Sequence, residues 1–200
     1  MNRAAVLYAT REGHTALIAE CVARKFRDLG IPAEIVDLRR HCSPVRLEDY
    51  RAAVLASSVH VGKHEPAMVR FAREHRAALD AMPSAFLSVS LSEAGVELPR
   101  TTPERRAQSA AGVQEMLDRF CQESGWRPTH VLPVAGALLY TKYNFIKRFI
   151  LKQISKRAGG STDTSRDHVY TDWTALEAFI ARFAESYGLT AQGLAPRSLT

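Results

Sequence analysis

Apolar residues along this chain fall into two kinds of block, separated by polar turns that carry Gly and Pro. Residues 4–8, 33–36, 52–56, 85–89 and 130–135 are near-continuous apolar runs of strand length, the pattern of strands buried on both faces. The segments between them have helical period. Residues 16–29 place Leu17, Cys21, Val22 and Phe26 on one face and stop at Gly30. Residues 66–79 and 103–120 open with Pro66 and Pro103, which suit a first helical turn. A last helix begins at Trp173, with Thr171 or Asp172 as its cap and Trp173 in the core. Residues 39–50 are polar, carry Pro44 and read as a loop with one helical turn. Residues 57–64 and 90–102 read as loops.

Strand and helix alternate, which predicts an α/β fold: a doubly wound, five-stranded parallel sheet with helices on both faces. A length of 200 residues at 46% hydrophobic suits one core, predicted over 1–187 with a tail at 188–200. Ligands of such sheets bind beyond the carboxyl ends of the strands, where the strand order reverses. The loops after the first, third and fourth strands, 10–15, 57–64 and 90–98, are therefore the candidate site.

The first of these is Tyr8-Ala9-Thr10-Arg11-Glu12-Gly13-His14-Thr15. It joins a strand to a helix N-terminus, whose free N–H groups and dipole favour an anion, and Thr10 and Thr15 add hydroxyl donors. The turn lacks the Lys of a P-loop and the glycines of a dinucleotide fingerprint. It resembles the flavin-phosphate loop of the flavodoxin family, in which hydroxyl residues, Gly, Asn and Thr recur. Thr10, Gly13 and Thr15 match that pattern; Glu12 and His14 depart from it. Read by itself, the stretch is equally an ordinary turn with a threonine cap.

Charge adds a second feature. The formal net charge of +6 points to an anionic partner. From Ser124 to Thr162 there is no acidic residue, while Arg127, Lys142, Lys147, Arg148, Lys152, Lys156 and Arg157 give a local +7. This span covers most of an insertion, roughly 138–168, before the last helix. Within it Tyr143, Ile146, Ile150 and Ile154 step at helical spacing, with Arg148, Lys152 and Lys156 on the opposite side. Two readings of residues 143–157 stand: a basic amphipathic helix in an anionic membrane interface, or a surface helix with a solvated charged face. No run is long enough to span a membrane and no signal segment precedes the first strand, so a cytoplasmic protein is expected. Cys21, Cys42 and Cys121 have no metal or redox spacing and read as free thiols.

Longer strings carry a more specific resemblance. Beyond the first loop they are Met82-Pro83-Ser84-Ala85-Phe86, Trp126-Arg127-Pro128, Ala135-Gly136-Ala137-Leu138 and the aromatic-basic run 140–152. Gly159-Gly160-Ser161-Thr162-Asp163-Thr164 and Val169-Tyr170-Thr171-Asp172-Trp173 complete the set. Over residues 4–185 the chain resembles the menaquinone-dependent protoporphyrinogen IX dehydrogenase family, the flavodoxin-like class of protoporphyrinogen oxidase. The resemblance implies bound FMN, oxidation of protoporphyrinogen IX to protoporphyrin IX in heme biosynthesis, and electron delivery to a quinone such as menaquinone. It also implies that the insertion serves substrate or membrane contact, with the protein peripheral on the inner face of the cell membrane. Nucleic acid is not an expected partner, and a homo-oligomer is left open.

The site residues expected on this basis are Thr10, Arg11, Glu12, Gly13, His14 and Thr15 for the phosphate. Ser57, Ser58, Val59, His60 and Gly62 on one side, and Ser90, Leu91, Ser92 and Gly95 on the other, are expected to hold the isoalloxazine. Tyr140, Lys142, Tyr143 and Lys147 are expected to bind the substrate, an apolar macrocycle with two carboxylates. No residue is singled out as catalytic. His14, His60 and His64 lie in the candidate loops, where a histidine can act as a base or orient the flavin. Ser57 and Ser58 lack a nucleophile elbow and read as turn or flavin contacts. The chain departs from the family at His60 and Leu139, where Arg is found in members, and at Glu93 and Glu97, where basic residues are common. Rival readings are an NAD(P)H-dependent quinone reductase, a flavodoxin electron carrier, and a non-enzymatic membrane- or nucleic-acid-binding domain. The positive charge opposes the carrier.

Overall fold

Successive residues of each central strand are buried against opposite layers, which is why the apolar runs are unbroken. The computed structural model of the protein describes residues 3–41, 43–97, 101–138 and 168–189. In chain order these form β1 (Ala4–Ala9), α1 (His14–Asp28), β2 (Ala33–Asp37), a 3-10 turn (Leu47–Asp49) and β3 (Ala52–His60). Then come β4 (Lys63–His64), α2 (Pro66–Glu74), α3 (Arg76–Ala81), β5 (Ser84–Ser90), α4 (Leu91–Glu97) and α5 (Pro103–Ser124). β6 (His130–Ala135), β7 (Ala137–Leu138), β8 (His168–Val169) and α6 (Trp173–Ser186) complete the order.

β2, β1, β3, β5 and β6 lie side by side in that order, every pair parallel. The chain leaves β1 for β2 on one side and returns to β3 on the other, so the order reverses at β1/β3, as expected. Ala4, Val6, Val54 and Leu87 face a core layer closed by Ile18, Val22 and Phe26 of α1 and Ile180 and Phe183 of α6. Ala5, Leu7, Leu55 and Phe86 face the other layer, closed by Met68, Phe71, Phe120 and Trp126.

Several boundaries differ from the sequence expectation. α1 begins at His14, and Leu17 is 51% exposed rather than on the buried face, which Ile18 and Ala19 occupy instead. Residues 57–60 continue β3, and residues 91–97, expected as loop, form α4. The helix expected over 66–79 is divided at His75. Asp172, not Thr171, caps α6, its Oδ1 accepting the amide of Ala175 at 2.9 Å. The described chain also stays packed past 188. Gly188, at φ 59°, lets the Leu189 amide reach the Ala184 carbonyl (2.8 Å) and bury Leu189 in the core.

β7 pairs antiparallel with β8, Ala137 opposite Val169 and Leu138 opposite His168. Leu138 and His168, the described residues on either side of 139–167, therefore meet at one place, beside the carboxyl end of the sheet. The expected helix 143–157, with Tyr140, Lys142, Tyr143 and Lys147, lies outside the described residues, as do Cys42 and residues 190–200.

Candidate functional site

The loop after β1 is built by its backbone. Gly13 holds φ 95°, a left-handed value that costs glycine nothing, and it is the N-cap of α1 without a side-chain cap bond. Its amide donates to Thr10 Oγ1 at 3.2 Å, so Thr10 closes the turn and does not cap the helix. Thr15 is 1% exposed, and its Oγ1 makes no hydrogen bond among the described residues. A buried, unmatched hydroxyl costs about 1–3 kcal/mol. At a helix N-terminus that cost is offset when an oxyanion arrives.

His14, expected here as a cofactor contact, directs its side chain elsewhere. Its Nε2 lies 2.7 Å from Thr171 Oγ1, and its ring stands edge-on to Trp173 at 5.9 Å. The Thr171 hydroxyl donates to the Ala135 carbonyl at 2.6 Å, so His14 Nε2 is the donor in the shared bond. Through Nε2, His14 thus fastens the start of α1 to the chain returning at β8.

The second loop is a hairpin held by side chains. β3 reverses through Val61 and Gly62 into β4, at φ 51° and 72°, the two positive values of a type I′ turn. For a β-branched residue this conformation stores about 1–3 kcal/mol of strain, and Val61 holds it while 99% exposed. Ser57 Oγ accepts the Glu65 amide (3.2 Å) and donates to the Ser58 carbonyl (3.3 Å). Ser58 Oγ donates to the Ala9 carbonyl at 3.5 Å and lies 3.2 Å from His60 Nε2. Both serines bond within the loop framework. His64 is buried, 2.9 Å from Ser88 Oγ and packed against Phe86 and Phe120. Burial pulls its pKa down to about 4, so it is a neutral core histidine near pH 7 and a weak proton acceptor.

The residue that unites these loops is Glu65, which sequence reasoning does not single out. Its carboxylate is 3% exposed and lies 2.7 Å from Arg11 Nε, 3.7 Å from Arg39 Nε and 3.6 Å from His60 Nε2. Arg39, equally unforeseen, also donates to the Thr10 carbonyl at 2.7 Å. The loops after β1, β2 and β3 are thus tied to one buried carboxylate. Its signal in the sequence is slight: an acid just before the Pro66 that opens α2.

The third loop is mostly helix. Ser90 Oγ accepts the Glu93 amide (3.2 Å) and so begins α4. Gly95 serves packing: a Cβ there would stand 2.4 Å from Ser109 Oγ of α5. This turns Gly95, expected as a flavin contact, toward the neighbouring helix. Leu91 is 38% exposed at the start of α4, and Ser92 beside it is half-buried. Partial burial raises the Glu93 carboxyl, and burial with the charges of Glu93 and Asp172 pushes Glu97 up to about 7. The Ser90 carbonyl accepts the Gly136 amide (2.9 Å), which sets the β7–β8 ribbon against this loop.

Beside the hairpin opens a cleft of about 600 Å³. Arg11 and His60 line it from the candidate loops, Val61 and Lys63 from the hairpin, Arg70 and Arg73 from α2. Among the described residues no group of acidic, His and Cys side chains could hold a metal ion, and no helix is long and apolar enough to cross a membrane.

Three kinds of relationship bear on this geometry. The flavodoxin-domain family matches residues 5–165. A short-chain flavodoxin associated with a bacterial microcompartment superposes with a TM-score of 0.50 at 12% identity, over 94% of this chain and 99% of its own, which supports the fold. The protoporphyrinogen IX dehydrogenase [quinone] of Escherichia coli (strain K12) is 35% identical over 179 residues, 90% of this chain and 93% of that protein. The protein of the same name from Leishmania major is 35% identical over 180 residues, 73% of its length. The flavodoxin domain implies a flavin cofactor. With the parallel sheet, the switch-point loops and kinship across nine-tenths of its length, this chain belongs to the flavodoxin-like family of quinone-dependent protoporphyrinogen IX dehydrogenases.

Proposed function

We propose that this protein oxidises protoporphyrinogen IX to protoporphyrin IX with bound FMN and passes the electrons to a membrane quinone. Identity of 35% to the Escherichia coli dehydrogenase, over 93% of that protein, carries the reading. The FMN phosphate is assigned to the loop after β1, where the Thr15 hydroxyl, the Thr10 turn and the open backbone at Gly13 suit an oxyanion. The isoalloxazine is assigned between residues 57–62 and 90–92, which carry the exposed aliphatic side chains Val61 and Leu91. When bound, FMN supplies the electron acceptor, and the protein supplies binding, orientation and electrostatics. Arg11 and Arg39, held by Glu65, keep the loops around that site in register. The +6 charge and the basic stretch 124–162 suit work at an anionic membrane face.

The test is anaerobic mixing of FMN-loaded protein with protoporphyrinogen IX, followed by flavin absorbance and porphyrin fluorescence. The expected result is flavin bleaching with porphyrin release, and continued turnover when a quinone is added. A flavin that stays oxidised with protoporphyrinogen but bleaches with NAD(P)H would overturn the reading in favour of a quinone reductase.

A further inference from the structure

Among the described residues, the cleft between the β3–β4 hairpin, α2 and the end of α5 carries more positive charge than its neighbours cancel. Arg70 and Arg73, three apart on α2, present like charges on one helix face, which by itself disfavours the helix. Arg73 is anchored without being neutralised: its Nε and Nη2 both donate to the backbone carbonyl of Glu123, not to a carboxylate. Lys63 and Arg70 are exposed and make no hydrogen bond or ion pair among the described residues. The Glu123 side chain is the one carboxylate on the lining, and Arg11 is already matched by Glu65. Between the cations the wall is apolar, formed by Val61, Pro66 and Val69.

A cleft of about 600 Å³ with apolar walls and a few convergent cations suits an apolar ligand bearing carboxylates. Its position narrows the choice, because Arg11 and His60 belong both to this lining and to the loops assigned to the flavin. A ligand seated here therefore lies beside the reacting ring. Resting on the function proposed above, we infer that Lys63, Arg70 and Arg73 bind the two propionate carboxylates of protoporphyrinogen IX, with Pro66 and Val69 against the macrocycle. These residues are additional to the substrate contacts expected from the sequence at Tyr140, Lys142, Tyr143 and Lys147.

The experiment uses FMN-loaded protein carrying Lys63→Glu and Arg70→Glu together, both exposed positions whose exchange leaves the core intact. With a soluble quinone, KM for protoporphyrinogen IX should rise about tenfold or more, with kcat within about twofold and FMN affinity unchanged. Affinity for protoporphyrin IX should fall in parallel, whereas its dimethyl ester should bind wild type and variant alike. The Lys63→Gln, Arg70→Gln pair should fall between. An unchanged KM, or equal loss of the ester, overturns the inference while the dehydrogenase reading stands. Absence of turnover in the wild type removes that reading and the inference with it. If the variant loses affinity for phosphatidylglycerol vesicles at unchanged KM, the cleft belongs to lipid headgroups and the inference also falls.

Discussion

The loop after β1 and the hairpin after β3 flank the same site but are built on different principles. The first is local: a left-handed Gly13, a Thr10 bonded three residues on, and a buried Thr15 hydroxyl with no hydrogen-bond partner among the described residues. The second is assembled from a distance. Its foot is pinned by His64 on Ser88, its exit by Glu65 on Arg11 and Arg39, and its tip carries a strained valine. A site can thus combine a part that is preorganised by backbone with one that depends on packing and charge. The two parts should fail under different perturbations.

pH gives the largest separation. His64 is held neutral down to about 4 in the fold, while the unfolded chain takes up that proton near 6.5. Between those values the unfolded state binds more protons, so this contribution is fully present above 6.5 and is lost as pH falls towards 4, by roughly 3 kcal/mol. Glu97 acts in the opposite sense: raised to about 7, it favours the fold at low pH and loses that contribution as pH rises from about 4.5 to 7. Urea titrations at pH 5 and 7.5 should show the loss on acidification reduced in His64→Gln, and unaltered in Thr15→Val. The same slope in His64→Gln would remove the histidine from the account.

Thr15→Val sharpens the contrast from the other side. Replacing an unmatched buried hydroxyl by a methyl should leave the melting temperature of the apoprotein equal or higher. FMN affinity should nonetheless drop about ten- to a hundredfold, the worth of a hydrogen bond to a charged group. Equal FMN binding by calorimetry would place the phosphate elsewhere. A double-mutant cycle of Arg11→Gln with Glu65→Gln should give a coupling of about 1 kcal/mol, since one partner is half-exposed and the other buried. Additive effects would mean that the pair is not a fastening. The smallest change has the opposite sign: Val61→Asn, which tolerates positive φ, should raise the melting temperature by about 2–4 °C.

The contrast also explains what could be read in advance. Strands buried on both faces announce themselves as apolar runs, so Val6, Leu55 and Phe86 were legible as core, and the switch-point loops followed from their order. The Thr10, Gly13, Thr15 spacing is legible because its chemistry lies within one turn of chain. Glu65 was not, because Arg11 lies 54 residues away and no local pattern records an ion pair across that distance. α4 was hidden for a similar reason: Gly95 reads as a loop residue until Ser109 of α5 is seen to occupy the space a side chain would need. Leu17 misled because helical period gives a face only to within a residue or so, and Ile18 took the buried position.

The two-residue β7–β8 ribbon carries a further consequence. Because Leu138 and His168 are direct partners, the chain between them is, topologically, the loop of a very long hairpin. The entropy of closing such a loop grows only with the logarithm of its length, about 0.6 kcal/mol for each doubling. Closing the chain at this ribbon therefore costs little more for a long connection than for a short one. Length can be added between Leu138 and His168 at slight entropic cost to the fold that the ribbon completes.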